Sequence, residues 1–290
     1  MFNHDETLTE ARARNIRDAL FEDIGRCDWT AQLAPAGQRV RARVLARERA
    51  VLCGRDWFDG CVTALDGHAR VNWRVAEGGW TTADEPVCDI ESDARALLSA
   101  ERPALNFLQL LSWTATTTRE HVDAVAGASP RPAGCQVLDT RKTIPGLRQA
   151  QKYAVRTGGG ANQRLALWDG ILIKENHIAA AGGVTAALDA ARALDAGVQV
   201  QIEVETLDQL REALSAGAAS VLLDNFDEPR MREAVAINAG RAVLEVSGSV
   251  QLDQLRAIAA TGVDRISIGR LTKDIRAIDF SMRVLGATNG

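Results

Sequence analysis

Val198–Gly248 reads VQVQIEVETLDQLREALSAGAASVLLDNFDEPRMREAVAINAGRAVLEVSG. Three apolar, β-rich runs, Val198–Val204, Val221–Leu223 and Ala242–Val246, are separated by alanine-rich helical stretches, Asp208–Ala216 and Glu228–Ala239. The runs recur roughly every 22–24 residues, and a fourth follows at Ile266–Ile268. Strand–helix repetition of this length predicts βα units around a parallel sheet, closed or nearly closed into a barrel. A doubly wound open sheet is the competing topology, but no G-x-G-x-x-G follows a first strand.

Upstream, Cys135–Leu138 and Ile171–Ile173 are apolar runs of the same kind, and the texture of the chain changes near residue 115. Before that point the pattern is different. Leu8–Phe21 carries apolar residues at helical spacing with Thr7 or Thr9 as cap. Val40–Leu52 alternates apolar residues with arginine, the period of a half-buried strand. Shorter β-like pieces follow at Val71–Val75 and Val87–Ile90, then a helix from about Ala94 to Thr118. This first region reads as an α+β unit whose sheet has one covered face and one open face.

Composition narrows the class. The 290 residues suffice for a full core, in one large or two modest domains, and 46% hydrophobic with 25% charged residues is ordinary for a globular protein. A net charge of −4 argues against nucleic acid as a partner. Cys27, Cys53, Cys61, Cys88 and Cys135 are odd in number and lack C-x-x-C spacing, so neither a disulfide framework nor a zinc site is expected. The polar start, Met1-Phe-Asn-His-Asp-Glu-Thr7, is unlike a secretory signal, and no run approaches the ~18 apolar residues of a membrane span. The expectation is a cytoplasmic protein with no membrane contact.

In a βα barrel the active site lies at the C-terminal ends of the strands. Here those ends are polar: Asp139-Thr140-Arg141-Lys142, Lys174-Glu175-Asn176-His177, Glu203 with Glu205, Asp224-Asn225, Glu245-Ser247-Gly248-Ser249 and Gly269-Arg270. Only four of the 34 Lys and Arg residues are lysines (Lys142, Lys152, Lys174, Lys273), and two of them fall in this set. Ammonium is a compact charge suited to phosphate, while guanidinium is a planar fork suited to carboxylates. Arg141, Lys142, Arg164 and Lys174 are therefore candidates for binding anionic groups. Glu203 and Asp224 are read in two ways, as ligands of a hard cation such as Mg²⁺ or as ion-pair partners of neighbouring cations. Ser247–Ser249 and Ile268–Arg270 follow the last two strands, where barrels bind phosphate through backbone N–H groups. His177 is open between an acid, a phosphate ligand and a packed donor.

Asp139-Thr-Arg-Lys-Thr-Ile-Pro-Gly-Leu-Arg148, Lys152-Tyr-Ala-Val155, Gly158-Gly-Gly160, Arg164 and Leu172-Ile-Lys-Glu-Asn-His-Ile178 closely resemble the quinolinate phosphoribosyltransferase family. Glu22–Gly25, Glu101-Arg102 with Ala104–Phe107, Leu222–Asn225, Leu244–Gly248 and Leu271–Lys273 extend the resemblance nearly end to end. It implies an N-terminal α+β open sandwich over 1–115, completed by 275–290, and an incomplete TIM-like βα barrel over 116–274. It also implies a homodimer with shared active sites. By position, the pyridine dicarboxylate falls to Arg141, Arg164 and Lys174, with Arg102 reaching in from the partner chain. Phosphoribosyl pyrophosphate and its Mg²⁺ fall to Lys142, Glu203 and Asp224, and the 5′-phosphate to Ser247, Gly248, Ser249, Ile268, Gly269 and Arg270. Thr140 joins the substrate-binding set, and Lys142, Lys174, Glu203 and Asp224 form the catalytic set.

The activity so implied is transfer of the 5-phosphoribosyl group to quinolinate with loss of CO₂, giving nicotinate mononucleotide for NAD synthesis. Three residues depart from the family pattern: Gln163 where a histidine is expected, Asp274 where some relatives carry histidine, and Trp113 in place of a glycine. Gln163 is expected to offer a substrate carboxylate a neutral amide donor. The alternatives are a phosphoribosyltransferase for another acidic heterocycle, a barrel lyase using Lys174 as a Schiff base, and a non-catalytic nucleotide-binding paralogue.

Overall fold

The structure is a computed structural model that describes residues 5–248 and 250–288. Its ten strands, among the described residues, are β1 (Arg39–Ala46), β2 (Arg70–Trp73), β3 (Pro86–Asp93), β4 (Gln136–Leu138), β5 (Gly170–Ile173), β6 (Gln199–Val204), β7 (Ser220–Asp224), β8 (Val243–Ser247), β9 (Arg265–Ser267) and β10 (Phe280–Ala287). The chain divides into two units. The first takes Met1–Arg119, Thr143–Gly159 and Thr272–Gly290, and the second takes Glu120–Lys142 and Gly160–Leu271. Residues 143–159, which the sequence reading includes in 116–274, thus cluster with the first unit.

The first unit is built on an antiparallel sheet in the order β10-β1-β3-β2. Val40, Ala42, Val44 and Ala46 of β1 are buried, and the arginines between them face the other side. Arg41 lies opposite Glu91 and Arg43 opposite Asp89, each forming a cross-strand ion pair, at 3.2 Å and 2.7 Å. Opposite charges at directly paired positions favour that register. The expected strand to Leu52 stops at Ala46, because Ala50, Val51, Leu52 and Cys53 are all fully buried and alternation is lost. The helix Ala94–Val125 buries Leu97, Ala100, Ala104, Leu108, Leu111 and Ala115, one continuous stripe at the helical period. Asp93 starts it by accepting from the N–H groups of Arg95 and Ala96. At the other end of the unit's sequence, Thr7 and Glu10 form a capping box for the helix Leu8–Ile24.

The second unit holds a parallel sheet in the order β4-β9-β8-β7-β6-β5. Helices Glu175–Ala181 and Val184–Ala193 follow β5, Leu207–Ser215 follows β6, Glu228–Asn238 follows β7 and Leu255–Ala259 follows β8. No ladder joins β4 to β5 among the described residues, the arrangement of an incomplete βα barrel. Ile202, Val204, Val221, Leu223, Leu244, Val246 and Ile266 pack in one apolar core with the inner faces of those helices. Among the described residues no helix is long and apolar enough to cross a membrane, and the five cysteines are free thiols.

Asp66 ties three segments of the first unit together. Its carboxylate accepts from the N–H groups of His68 and Asp93, the Ser92 hydroxyl and Arg39, each at 2.9 Å. Burial opposes the charge, but these donors outweigh it and lower the pKa to about 2. Asp66→Ala should cost ~2–3 kcal/mol in urea unfolding at neutral pH, since four donors lose their acceptor. A folded pKa below the unfolded value of ~3.9 contributes stability that is complete above that pH and disappears as pH falls through the folded value. The gap between parent and Asp66→Asn should accordingly narrow between about pH 4 and 2; a gap independent of pH would contradict this account.

Candidate active site

All strands of the second sheet run parallel, so their C-terminal ends share one edge. Thr140, Arg141 and Lys142 follow β4, and Lys174 follows β5. Glu203 lies near the end of β6, Asp224 ends β7, Ser247 ends β8 and Gly269 comes two residues after β9. The structure brings them together in contiguous groups around that edge.

At β4 and β9, Thr140 Oγ1 accepts from the Lys142 N–H at 3.0 Å. Lys142 then crosses Gly269, where an added Cβ would lie 3.0 Å from Lys142 Cδ and 3.8 Å from its Nζ. The small residue therefore lets an ammonium group lie close to backbone, a combination that suits a phosphate. Arg141 lies near enough to Arg164 for its charge to be felt. Burial first and Arg141 second lower the pKa of the Arg164 guanidinium, which donates to the Gly170 carbonyl at 2.7 Å. Two guanidiniums held together in a partly buried place are complementary to an anion.

Lys174 Nζ donates to both oxygens of Glu203, at 2.9 Å and 3.2 Å, and Glu203 is 8% exposed. Burial pushes the Glu203 carboxyl above its usual value. Lys174 pulls against that push, and the charges of Asp224 and Glu175 add to it. Asp224 in turn accepts from the Ser247 hydroxyl at 2.7 Å and from Asn225 Nδ2 at 2.9 Å. Gly248 follows at φ 141°, and an added Cβ there would meet Asn225 Oδ1 at 3.0 Å. Arg270 donates to Gln251.

No three His, Cys, Asp or Glu side chains converge as a metal-ligand set among the described residues. Glu203 and Asp224 nonetheless fit a cation of the Mg²⁺ type. Such an ion takes one or two carboxylates and completes its shell with water and phosphate oxygens, and each carboxylate oxygen here keeps a second acceptor position.

The remaining residues singled out in the sequence lie as follows. Ile268 does not join the phosphate set through its N–H or its side chain. That N–H donates to the Leu138 carbonyl at 2.8 Å, and the side chain is 1% exposed in the core. Ser249 lies outside the described residues. Arg102 is exposed on the long helix of the first unit. His177 is exposed, and its Nδ1 accepts from the Lys174 N–H at 3.0 Å, closing the start of the helix Glu175–Ala181. Lys152 is buried in the first unit. Glu245, read as a strand end, is fully buried.

Gln163 is the main correction. Its amide faces inward, donating to Gln201 Oε1 at 2.9 Å and to Glu245 Oε1 at 2.8 Å, so it is engaged inside the unit. Gln201, Ser267 and Asn162 went unread as parts of this region. The available signal was the strand period of two, because Gln201, Glu245 and Ser267 each stand two residues before a residue of the edge.

Comparison with known proteins identifies the family. Family models described as the N-terminal and C-terminal domains of quinolinate phosphoribosyl transferase match residues 28–112 and 114–283. A protein of Mycobacterium leprae named nicotinate-nucleotide pyrophosphorylase (carboxylating) is 40% identical over 94% of this chain and 97% of its own length. The solved nicotinate-nucleotide pyrophosphorylase of Francisella tularensis is 42% identical, with a TM-score of 0.90 over 97% of this chain and 100% of that one. NadC of Streptococcus pyogenes is 34% identical with a TM-score of 0.91, covering 98% and 99%.

Gly248→Ala should lower the stability of the protein by ~1–3 kcal/mol, from the forced φ and the Asn225 contact together. Thermal unfolding measures it; an unchanged midpoint would show that the loop relaxes without cost.

Proposed function

Because this chain belongs to the quinolinate phosphoribosyltransferase family, we propose that it transfers the 5-phosphoribosyl group of phosphoribosyl pyrophosphate to the nitrogen of quinolinate. The products are nicotinate mononucleotide, pyrophosphate and CO₂. The observation that carries the reading is the Lys174–Glu203 ion pair at the ends of β5 and β6, with Asp224 at the end of the neighbouring β7.

Two strongly anionic substrates repel each other, and a ring of fixed cations offsets that repulsion. Arg141 and Arg164 suit the planar carboxylates of the acid, Lys142 beside Gly269 suits a phosphate, and Lys174 is paired with Glu203. Departure of pyrophosphate builds positive charge on the ribose. Glu203 and Asp224 would stabilise that charge, with no covalent bond to the enzyme. Mg²⁺ held by these two carboxylates would neutralise the pyrophosphate leaving group. Once glycosylated, the pyridinium nitrogen lies beside the carbon that loses CO₂, and its charge stabilises the carbanion that a proton then quenches.

Lys174 as a Schiff base is disfavoured by the family to which the chain belongs, and its Nζ is held by both Glu203 oxygens. The free thiols support a reducing compartment, the cytoplasm. A homodimer in which Arg102 enters the neighbouring subunit's site is the assembly the sequence resemblance supports, and the exposure of Arg102 is compatible with it.

Parallel incubations with phosphoribosyl pyrophosphate, Mg²⁺ and either quinolinate or nicotinate should give CO₂ and mononucleotide from quinolinate alone. Turnover of nicotinate without quinolinate-dependent CO₂ would overturn the proposal. Mixing inactive Arg102→Ala and Lys174→Ala subunits should restore activity, approaching about a quarter of parental sites after random exchange of a two-fold dimer. Confirmed exchange with no recovered activity would rule out a site shared between subunits.

A further inference from the structure

Beneath the charged edge lies a second layer of polar side chains, almost completely shielded from water. Asp139 and Glu245 are 0% exposed, Ser267 is 5% and Gln201 is 8%. In a strand, residues two apart point the same way, so Gln201 of β6 sits one layer below Glu203, and Glu245 of β8 one layer below Ser247. Ser267 ends β9, and Asp139 follows β4 directly.

Gln163 joins the layer into one network. Its Nε2 donates to Gln201 Oε1 at 2.9 Å and to Glu245 at 2.8 Å and 3.1 Å. Gln201 Nε2 donates to the same carboxylate at 2.9 Å and to Ser220 Oγ at 3.1 Å, and the Ser267 hydroxyl donates to it as well. The other end of Gln163 faces upward, where its Oε1 accepts from the Arg164 N–H at 2.8 Å. Its own N–H donates to Asp139 at 2.8 Å, and Asn162 Nδ2 donates to Asp139 at 2.6 Å. The amide can sit only this way round. Reversed, it would set an oxygen against the Glu245 carboxylate and an NH₂ against the Arg164 N–H.

We propose that Gln163 is a positioning residue, clamping the loop that carries Arg164 to the buried Glu245 carboxylate without itself touching substrate. Glu245 anchors the clamp because a buried carboxylate must keep its donors, and leaving one unmet is costly. The proposal rests on the reading in which Arg164 holds a carboxylate of the pyridine acid. Its signature is therefore selective: Gln163 bonds the Arg164 backbone directly, whereas Glu203, Ser247 and Gly269 are held by their own strands above its partners, so loosening the clamp weakens the acid site more than the phosphoribosyl site.

Three variants test it beside the parent. Gln163→Met keeps length but loses both hydrogen-bonding ends, Gln163→Glu sets like charges against each other, and Gln163→Glu with Glu245→Gln exchanges donor and acceptor. Steady-state kinetics and hydrogen exchange over residues 162–165 are read for each. For Gln163→Met, KM for quinolinate should rise about tenfold, KM for phosphoribosyl pyrophosphate should stay within about twofold, and the Arg164 amide should exchange faster. The double variant should recover most of what Gln163→Glu loses.

Unchanged exchange, or a lower kcat with both KM values unchanged, would overturn the clamp. The second pattern is what a mere loss of folded enzyme produces. If Gln163→Met does not fold, recovery in the double variant decides: its presence supports the clamp and its absence refutes it. A parent that makes no CO₂ from quinolinate would sink the functional reading separately, and exchange at Arg164 would still decide whether Gln163 holds the loop.

Discussion

Register in the parallel sheet is the constraint on which everything at its edge depends. Leu222 of β7 pairs with Glu203 on one side and Glu245 on the other, and Asp224 pairs with Ser247. A slip of one residue would turn every side chain to the opposite face. Glu203 and Asp224 would then leave the edge, and Glu245 would lose Gln163, Gln201 and Ser267 together. The alternation of apolar and polar residues in β6 and β8 therefore does two things. It fills a core on one face, and it stacks a hydrogen-bonded layer under a charged layer on the other.

Much of this was legible before any coordinates. The recurring apolar runs from Val198 onward mark β6, β7, β8 and β9 to within a residue or so, because a parallel sheet covered by helices needs such runs. Polar strand ends marked Lys174, Glu203 and Asp224 for the same reason. What escaped were features that need a partner to be seen. Gln163 looks like a loop amide until Glu245 lies beside it, and Ile268 looks like a phosphate contact until its N–H reaches Leu138. The helix Arg148–Thr157 was also hidden, since Gln151 and Lys152 are buried although their types are usually exposed. Gln151 has its own reason, bridging the Ile144 N–H and the Thr272 carbonyl.

Trp113 and Asp274, where the sequence reading expects other residue types, are neighbours. The Trp113 indole donates to the Asp274 carbonyl at 2.9 Å, and the Arg276 guanidinium lies 4.8 Å from the same ring. Arg276 is held in turn by Glu48 at 2.6 Å. Residues 113 and 274 meet through backbone and ring, a coupling that depends on Trp113 but not on the Asp274 side chain. The Asp274 carboxylate meanwhile pairs with Lys273.

The division of the chain has a consequence for its birth on the ribosome. The first unit draws on three separate segments, and β10, the last of the described strands, pairs with β1, the first of them. Until residues 280–287 emerge, β1 presents an open edge to every other nascent chain nearby. Its arginines, alternating along that strand, supply the charge that discourages such pairing. The second unit's strands are all made before that edge is covered, so its sheet can assemble while the earlier one waits. The N-terminal unit is therefore the one whose native sheet must finish last.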